Sequence, residues 1–150
     1  MLLRALLIVL LTTCPGLLAQ NATAAEAEAL VKRAIAFAKT SGKEAAFKEI
    51  TRQGGRFHKH HGELYVFVYD LSGKVVAHGQ GPSKVGINQI NAVDPEGREF
   101  VRERIQLATA KGKGWHDYMY RNPVTGKMEH KTSYIELWSG VIFGAGIYKK

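Results

Sequence analysis

Apolar positions change period along this chain, and the changes mark its elements. From Ala24 to Thr40 they recur at helical spacing. Leu30, Ala34 and Phe37 fall at i, i+4 and i+7 among Ala and Glu residues of good helix propensity. Ser41-Gly42 interrupts that run. Lys43 to Gln53 then predicts a second short helix with Ala46, Phe47 and Ile50 on one side, ended by Gly54-Gly55. From Leu64 to Tyr69 every residue is apolar or aromatic. Such a short run reads as a strand buried on both faces, central in its sheet. Asp70-Leu71-Ser72-Gly73 supplies a tight turn, and Lys74 to His78 returns as the hairpin partner.

Helical spacing resumes with Phe100, Val101, Arg104, Ile105 and Ala108, after the turn Asp94-Pro95-Glu96-Gly97. Gly112 is placed to end this helix. The period then becomes two. Trp115 to Arg121 predicts a strand, Asn122-Pro123-Val124-Thr125-Gly126 a turn, and a return strand starts near Met128. Val141 to Tyr148 is a last buried strand whose glycines allow close approach. The order is two helices, two strands, a loop and helix, then three strands. This predicts an α+β domain in which N-terminal helices pack on a five-stranded antiparallel sheet. Gly79 to Val93 is longer than an ordinary hairpin loop, and such connections are often binding elements. No internal repeat, second domain or low-complexity segment is evident.

The first twenty residues change the organisation. A short basic start, Met1 to Arg4, precedes an apolar run from Ala5 to Leu11 and small residues up to Ala19. This pattern is a secretory signal peptide, too short in its apolar run to span a bilayer comfortably. Cleavage after Ala19 leaves an extension over residues 20–29 and one domain over 30–150, with cuts near Ala22 or Ala24 as alternatives. The expected location is the periplasm. Cys14 raises a lipoprotein alternative, in a poor sequence context, and is the only cysteine. The mature protein would therefore lack disulfides, a thiolate nucleophile and Cys-ligated metal. Asn21-Ala22-Thr23 matches a glycosylation sequon but lies in the tail. The formal charge is +8, and losing Arg4 leaves +7. The basic residues are scattered among acids. The charge favours anions weakly and gives no footprint for nucleic acid.

Candidate chemistry gathers on the hairpin after Gly114. Alternation puts His116, Tyr118 and Tyr120 on one strand face, and Trp115, Asp117 and Met119 on the other. On the return strand Lys131 and Ser133 share a face opposite His130, Thr132 and Tyr134. Phenols beside an ammonium could bind a small anion with an organic body. The plainer alternative is a tyrosine-rich strand packed on a core, with Lys131 in solvent. His58-Lys59-His60-His61 has the look of a metal cluster, but Glu63 is its only carboxylate. It is read as a solvated loop before the first strand. His78, at a strand end, either faces a pocket or caps a loop. His116 and Asp117 point to opposite faces and cannot easily form a dyad, and no G-x-S-x-G is present. A hydrolase is therefore a remote alternative, and the chain is expected not to be an enzyme.

These pieces together resemble a known family. Tyr65 to Gly73 followed by Val76-Ala77-His78-Gly79 is similar to the opening hairpin of single-Cache domains. Asp94 to Val101 and Gly114 to Tyr118 resemble the middle of that family. Asn122-Pro123, Lys131 to Tyr134 and Gly146-Ile147-Tyr148 complete the order. The resemblance runs from about Leu30 to Lys150. It implies a PAS-like fold, with a long N-terminal helix behind a curved sheet and a small pocket in front. It also implies an extracytoplasmic sensor of the kind found in chemoreceptors and histidine kinases, many of which bind small organic acids. The ligand site would comprise His78, Trp115, Tyr118, Tyr120, Lys131 and Tyr134. Lys131 would pair with a carboxylate, the phenols and His78 would hydrogen-bond it, and Trp115 would wall or support the site. No cofactor or metal is implied. By parity Tyr134 lies opposite Lys131, so one of these residues is structural unless the strand bulges. The family often has Trp where this chain has Tyr120. With no membrane helix after Tyr148, the chain resembles a stand-alone exported form. Its ligand state would then pass to a separate membrane receptor, histidine kinase or transporter. A ligand-free interaction subunit is the alternative, and the N-terminal helix could form a homodimer.

Overall fold

The computed structural model describes residues 21–149. The expected signal peptide and Cys14 lie outside these residues. Helix α1 (Ala24–Ser41) starts at Thr23, whose hydroxyl accepts from the Glu26 amide while the Glu26 carboxylate accepts from the Thr23 amide. This reciprocal cap satisfies two amides that the first turn leaves open. Gly42, at φ 86°, ends α1 and allows the chain to turn into α2 (Lys43–Thr51). Leu30, Val31, Ala34, Ile35 and Ala38 form the buried stripe of α1, with Phe37 only partly buried at its edge.

The strands are β1 (His58–Lys59), β2 (Leu64–Asp70), β3 (Val75–His78), β4 (Lys113–Arg121), β5 (Met128–Trp138) and β6 (Val141–Tyr148). Helix α3 (Phe100–Lys111) precedes β4. All pairings are antiparallel. The path through the sheet is β1-β2-β6-β5-β4, and β3 also pairs with β2. The five strands expected from periodicity are present. The sixth is β1, two residues from the stretch read as loop, held by pairing His58 with Tyr65 and Lys59 with Leu64.

Helices cover both faces of the sheet, which explains the unbroken apolar run of β2. Leu64, Val66 and Val68 point toward α1 and α2, joined by Ala77, Tyr134, Phe143 and Ala145. Tyr65, Phe67 and Tyr69 point the other way, toward Phe100, Val101 and Ala108 of α3. The glycines of β6 make room for this second layer. A Cβ at Gly144 would stand 2.3 Å from the Phe67 ring, and one at Gly146 would stand 2.1 Å from Ser133 Oγ. Among the described residues no helix is long and apolar enough to cross a membrane.

The connection from Gly79 to Glu99 is anchored to this second face. Val75 N donates to Ile87 O, and Gln89 N to Gly73 O. The Tyr69 hydroxyl donates to Gln89 Oε1 at 3.0 Å. Asp94 ties the far end to the edge strand, because its Oδ2 accepts from the Met119 amide at 2.9 Å. Sheet, α3 and this loop together enclose the layer in which the chemistry sits.

Candidate functional site

Antiparallel register builds the site row by row. Tyr118 on β4, Lys131 on β5 and Tyr148 on β6 are successive neighbours, and His116, Ser133 and Gly146 form the next row. β2 adds Tyr65, Phe67 and Tyr69 on the same face, β3 adds His78, and α3 lowers Arg104 onto the layer.

Two basic side chains lie buried here among aromatic rings. Lys131 is 1% exposed, which corrects the reading of a lysine in solvent. Its Nζ donates to Tyr65 Oη at 3.0 Å and lies 3.4 Å from Tyr148 Oη. It also sits 4.2, 4.7 and 5.5 Å from the ring centres of Tyr65, Tyr148 and Tyr120. Burial pushes its amine well below the usual lysine range. The like charge of Arg104 pushes the same way, and Glu63 opposes. Arg104 is 2% exposed. Its Cζ lies 4.0 Å from the Tyr118 ring centre and 4.8 and 5.1 Å from those of Phe67 and Phe100. Nη1 reaches the Tyr69 hydroxyl only at 3.5 Å, while Nε and Nη2 are buried without a hydrogen-bond partner among the described residues. Among the described residues, no carboxylate forms an ion pair with either cation.

The remaining groups are neutral or hydrogen-bonding. His78 lies against Tyr65 and Phe67, and its pKa is lowered to about 3, first by burial and then by the charge of Lys131. Its Nδ1 accepts from the Gln80 amide at 3.1 Å, so the neutral ring carries its proton on Nε2. Tyr118 and Ser133 share a hydroxyl–hydroxyl bond of 3.0 Å. Burial raises the Tyr65, Tyr69 and Tyr118 phenols above their ordinary value, so all stay protonated near neutrality. His116 pairs through Nε2 with Glu103 of α3 at 2.7 Å, and its buried Nδ1 has no partner. Asp117 faces away and pairs with Lys149 at 2.9 Å.

Four of the six residues named from the sequence therefore share this layer: His78, Tyr118, Tyr120 and Lys131. Trp115 and Tyr134 do not. Tyr134 belongs to the core under α1, where its hydroxyl donates to Glu136 at 2.8 Å. The Trp115 ring packs against it at 5.5 Å and is 39% exposed. β5 keeps a regular register with both neighbours through Tyr134, so alternation sends that side chain to the face opposite Lys131. Sequence reasoning missed Arg104, Tyr65, Tyr69 and Tyr148. The signal for Arg104 was its place inside an apolar helical stripe. The signal for Tyr65 and Tyr69 was their even spacing along β2.

A cleft of about 810 Å³ shares Phe100 and Tyr120 with this layer, while Arg104 and Lys131 do not line it. Phe100 and Tyr120 form part of its floor, and Gly79, Val93, Met119 and Met128 are among its walls. The histidine stretch lies at its mouth, each ring engaged differently. His58 Nδ1 accepts from the Gly54 amide at 2.9 Å, while its Nε2 is buried without a partner. His60 meets Glu26 at 3.1 Å. Among the described residues no three His, Cys, Asp or Glu side chains are placed to hold a metal ion.

Known proteins provide a frame for this arrangement. The family model for the Cache domain matches residues 25–150. The sensor histidine kinase MctS of Rhizobium johnstonii is 34% identical over 87 residues, covering 56% of this chain and 18% of that protein. The chain thus matches less than a fifth of this relative's length. A solved methyl-accepting chemotaxis protein from Vibrio parahaemolyticus superposes with a TM-score of 0.70 at 25% identity, covering 83% of this chain and 86% of that one. A Cache chemosensory domain, solved to explain its recognition of carboxylic acids, gives 0.65 at 24% identity over 82% and 86%.

Proposed function

The chain belongs to the Cache domain family, and on that premise we propose that it is a periplasmic sensing module that binds a small organic acid and passes its ligand state to signalling machinery. The observation that carries this reading is the pair of buried basic side chains, Arg104 and Lys131, in one aromatic layer with no ion-paired carboxylate among the described residues. Burying a charge costs several kcal/mol unless it is paired. Cation–π contact offsets about 2 kcal/mol of that when desolvated. Two guanidinium nitrogens still lack acceptors. A carboxylate supplies both the countercharge and the acceptor atoms. The layer around the cations adds hydroxyl groups from Tyr65, Tyr118, Ser133 and Tyr148.

The named relatives support the sensing part. One is a sensor histidine kinase, one is a chemotaxis protein, and the Cache domain of similar fold recognises carboxylic acids. The signal-peptide pattern read in residues 1–19 supports the export part of this reading.

Thermal denaturation of a protein of residues 20–150 tests the proposal against a panel of small carboxylates and matched amides. An acid at a hundred times its dissociation constant stabilises by about 2.7 kcal/mol. That raises the midpoint by several degrees in a domain of this size. Stabilisation by acids but not amides, lost in Arg104→Met, is expected. A folded protein that no acid stabilises would favour the interaction-subunit alternative.

A further inference from the structure

The fold sorts onto one face basic residues that alternate with acids along the chain. Residues 21–57 carry seven Lys and Arg against four Glu. In the remainder, Arg104 and Lys131 are buried and withdrawn from the surface. The outward side of the helical layer exposes Lys32, Arg33 and Lys39 on α1, Lys48 on α2, and Arg52 and Arg56 just beyond α2. Ala25, Ala29 and Ala36 stand among them on α1, also exposed. Small side chains between long ones leave a shallow surface from which the charged heads project.

The acids on this side are mostly set back or turned away. Glu28 pairs with Lys32 at 2.6 Å, but the lysine side chain is 54% exposed and the acid 37%. Glu49 is 16% exposed and lies 2.7 and 3.4 Å from Arg52 and Arg56, whose side chains are 61% and 58% exposed. Arg33 joins this group by donating to Arg56 O at 3.2 Å. Glu26 is engaged by the Thr23 cap and His60. Glu44 is exposed one turn before Lys48. Among the described residues, neither Lys39 nor Lys48 has an ion-pair partner. The face ends at an apolar groove of about 490 Å³, lined by Phe47, Val76, Pro82 and Val85 with Lys48 and Arg52 at its wall. Cations spread over two helices suit a flat anionic layer, and the apolar groove beside them suits a layer that also offers hydrocarbon.

We propose that this outer face of α1 and α2 docks on an anionic phospholipid surface. The bases meet headgroup phosphates, and the groove beside Lys48 and Arg52 receives acyl carbon. In that orientation the α3 side of the sheet, where Phe100 and Tyr120 line the cleft, faces water. Docking of this kind needs no acid in the aromatic layer.

Co-sedimentation of a protein of residues 20–150 with vesicles of phosphatidylglycerol, and with vesicles of phosphatidylcholine alone, tests this. Binding is expected to phosphatidylglycerol only, and to fall steeply in about 1 M salt, where the screening length is about 3 Å. Each base at an anionic surface contributes about fivefold in affinity. Lys39→Gln/Lys48→Gln should therefore bind about twenty-fold more weakly. Lys111→Gln/Lys127→Gln removes the same charge from α3 and the β4–β5 turn and should bind like wild type. Urea denaturation checks that both variants fold. No binding to phosphatidylglycerol, equal binding to both lipids, or equal loss in both variants would overturn the proposal. A dimer in light scattering that Lys39→Gln/Lys48→Gln dissolves would assign the face to a second copy and overturn it as well. Tighter binding to polyglutamate than to the vesicles would do the same for an acidic protein partner.

Discussion

Replacing Lys131 by methionine should separate stability from function. The amine is fully enclosed, donates to Tyr65, touches Tyr148 and has no carboxylate partner among the described residues. Methionine has a similar length and no polar atom to desolvate. It forfeits one hydrogen bond worth about 1 kcal/mol and some cation–π attraction. It also removes the linkage penalty of a depressed lysine, which is about 1.4 kcal/mol for each unit by which burial lowers the folded pKa. The sign follows from proton counting. Between the lowered folded pKa and the ordinary unfolded value near 10.4, the unfolded chain holds the extra proton. Wild-type stability therefore rises with pH across that window, and below it the full penalty applies. Lys131→Met should accordingly be as stable as wild type or more so at neutral pH, with the difference shrinking as pH rises toward 10. Its acid-induced stabilisation should vanish. Urea denaturation at several pH values, with and without acid, measures both. A variant destabilised by about 3 kcal/mol or more at neutral pH, with its acid response intact, would refute the argument.

Other expectations follow from the same geometry. Tyr134→Phe removes a hydroxyl bonded to Glu136 on the α1 face and should cost about 1 kcal/mol in denaturant while leaving acid affinity unchanged; a tenfold loss of affinity by titration would place Tyr134 back in the site. Gly144→Ala sets a methyl group 2.3 Å from the Phe67 ring and should cost about 1–3 kcal/mol by urea denaturation, because the ring must move within a packed layer. Acid binding above the lowered pKa of Lys131 should take up a proton, since a bound carboxylate restores the ammonium form. Calorimetry in buffers of different ionisation enthalpy reads that uptake, and apparent affinity should rise as pH falls through the window.

How much of this was legible depends on which contacts decide each residue. The unbroken run from Leu64 to Tyr69 announced a central strand, because helices cover both of its faces. Parity alone separated Lys131 from Tyr134, since the β4–β5 and β5–β6 ladders run without a bulge there. The family resemblance nevertheless grouped them. Trp115 went with Tyr134 for the same reason, as its alternate position on β4 demands. Arg104 was harder. An arginine in an apolar stripe usually lays its stem on the core and keeps its head in water. Only the tertiary placement of α3 over Tyr118 shows that its head is buried. β1 was read as loop because two residues carry no period, and its pairing with β2 is set by the chain reversal at His60 and His61, both at positive φ.

The most direct test of the central claim is a crystal structure of residues 20–150 grown with the acid that stabilises them best. The account predicts a carboxylate in the aromatic layer, with its oxygens within about 3.2 Å of the Arg104 guanidinium and of Lys131 Nζ. An acid bound elsewhere, with Arg104 and Lys131 still packed only against their rings, would contradict it.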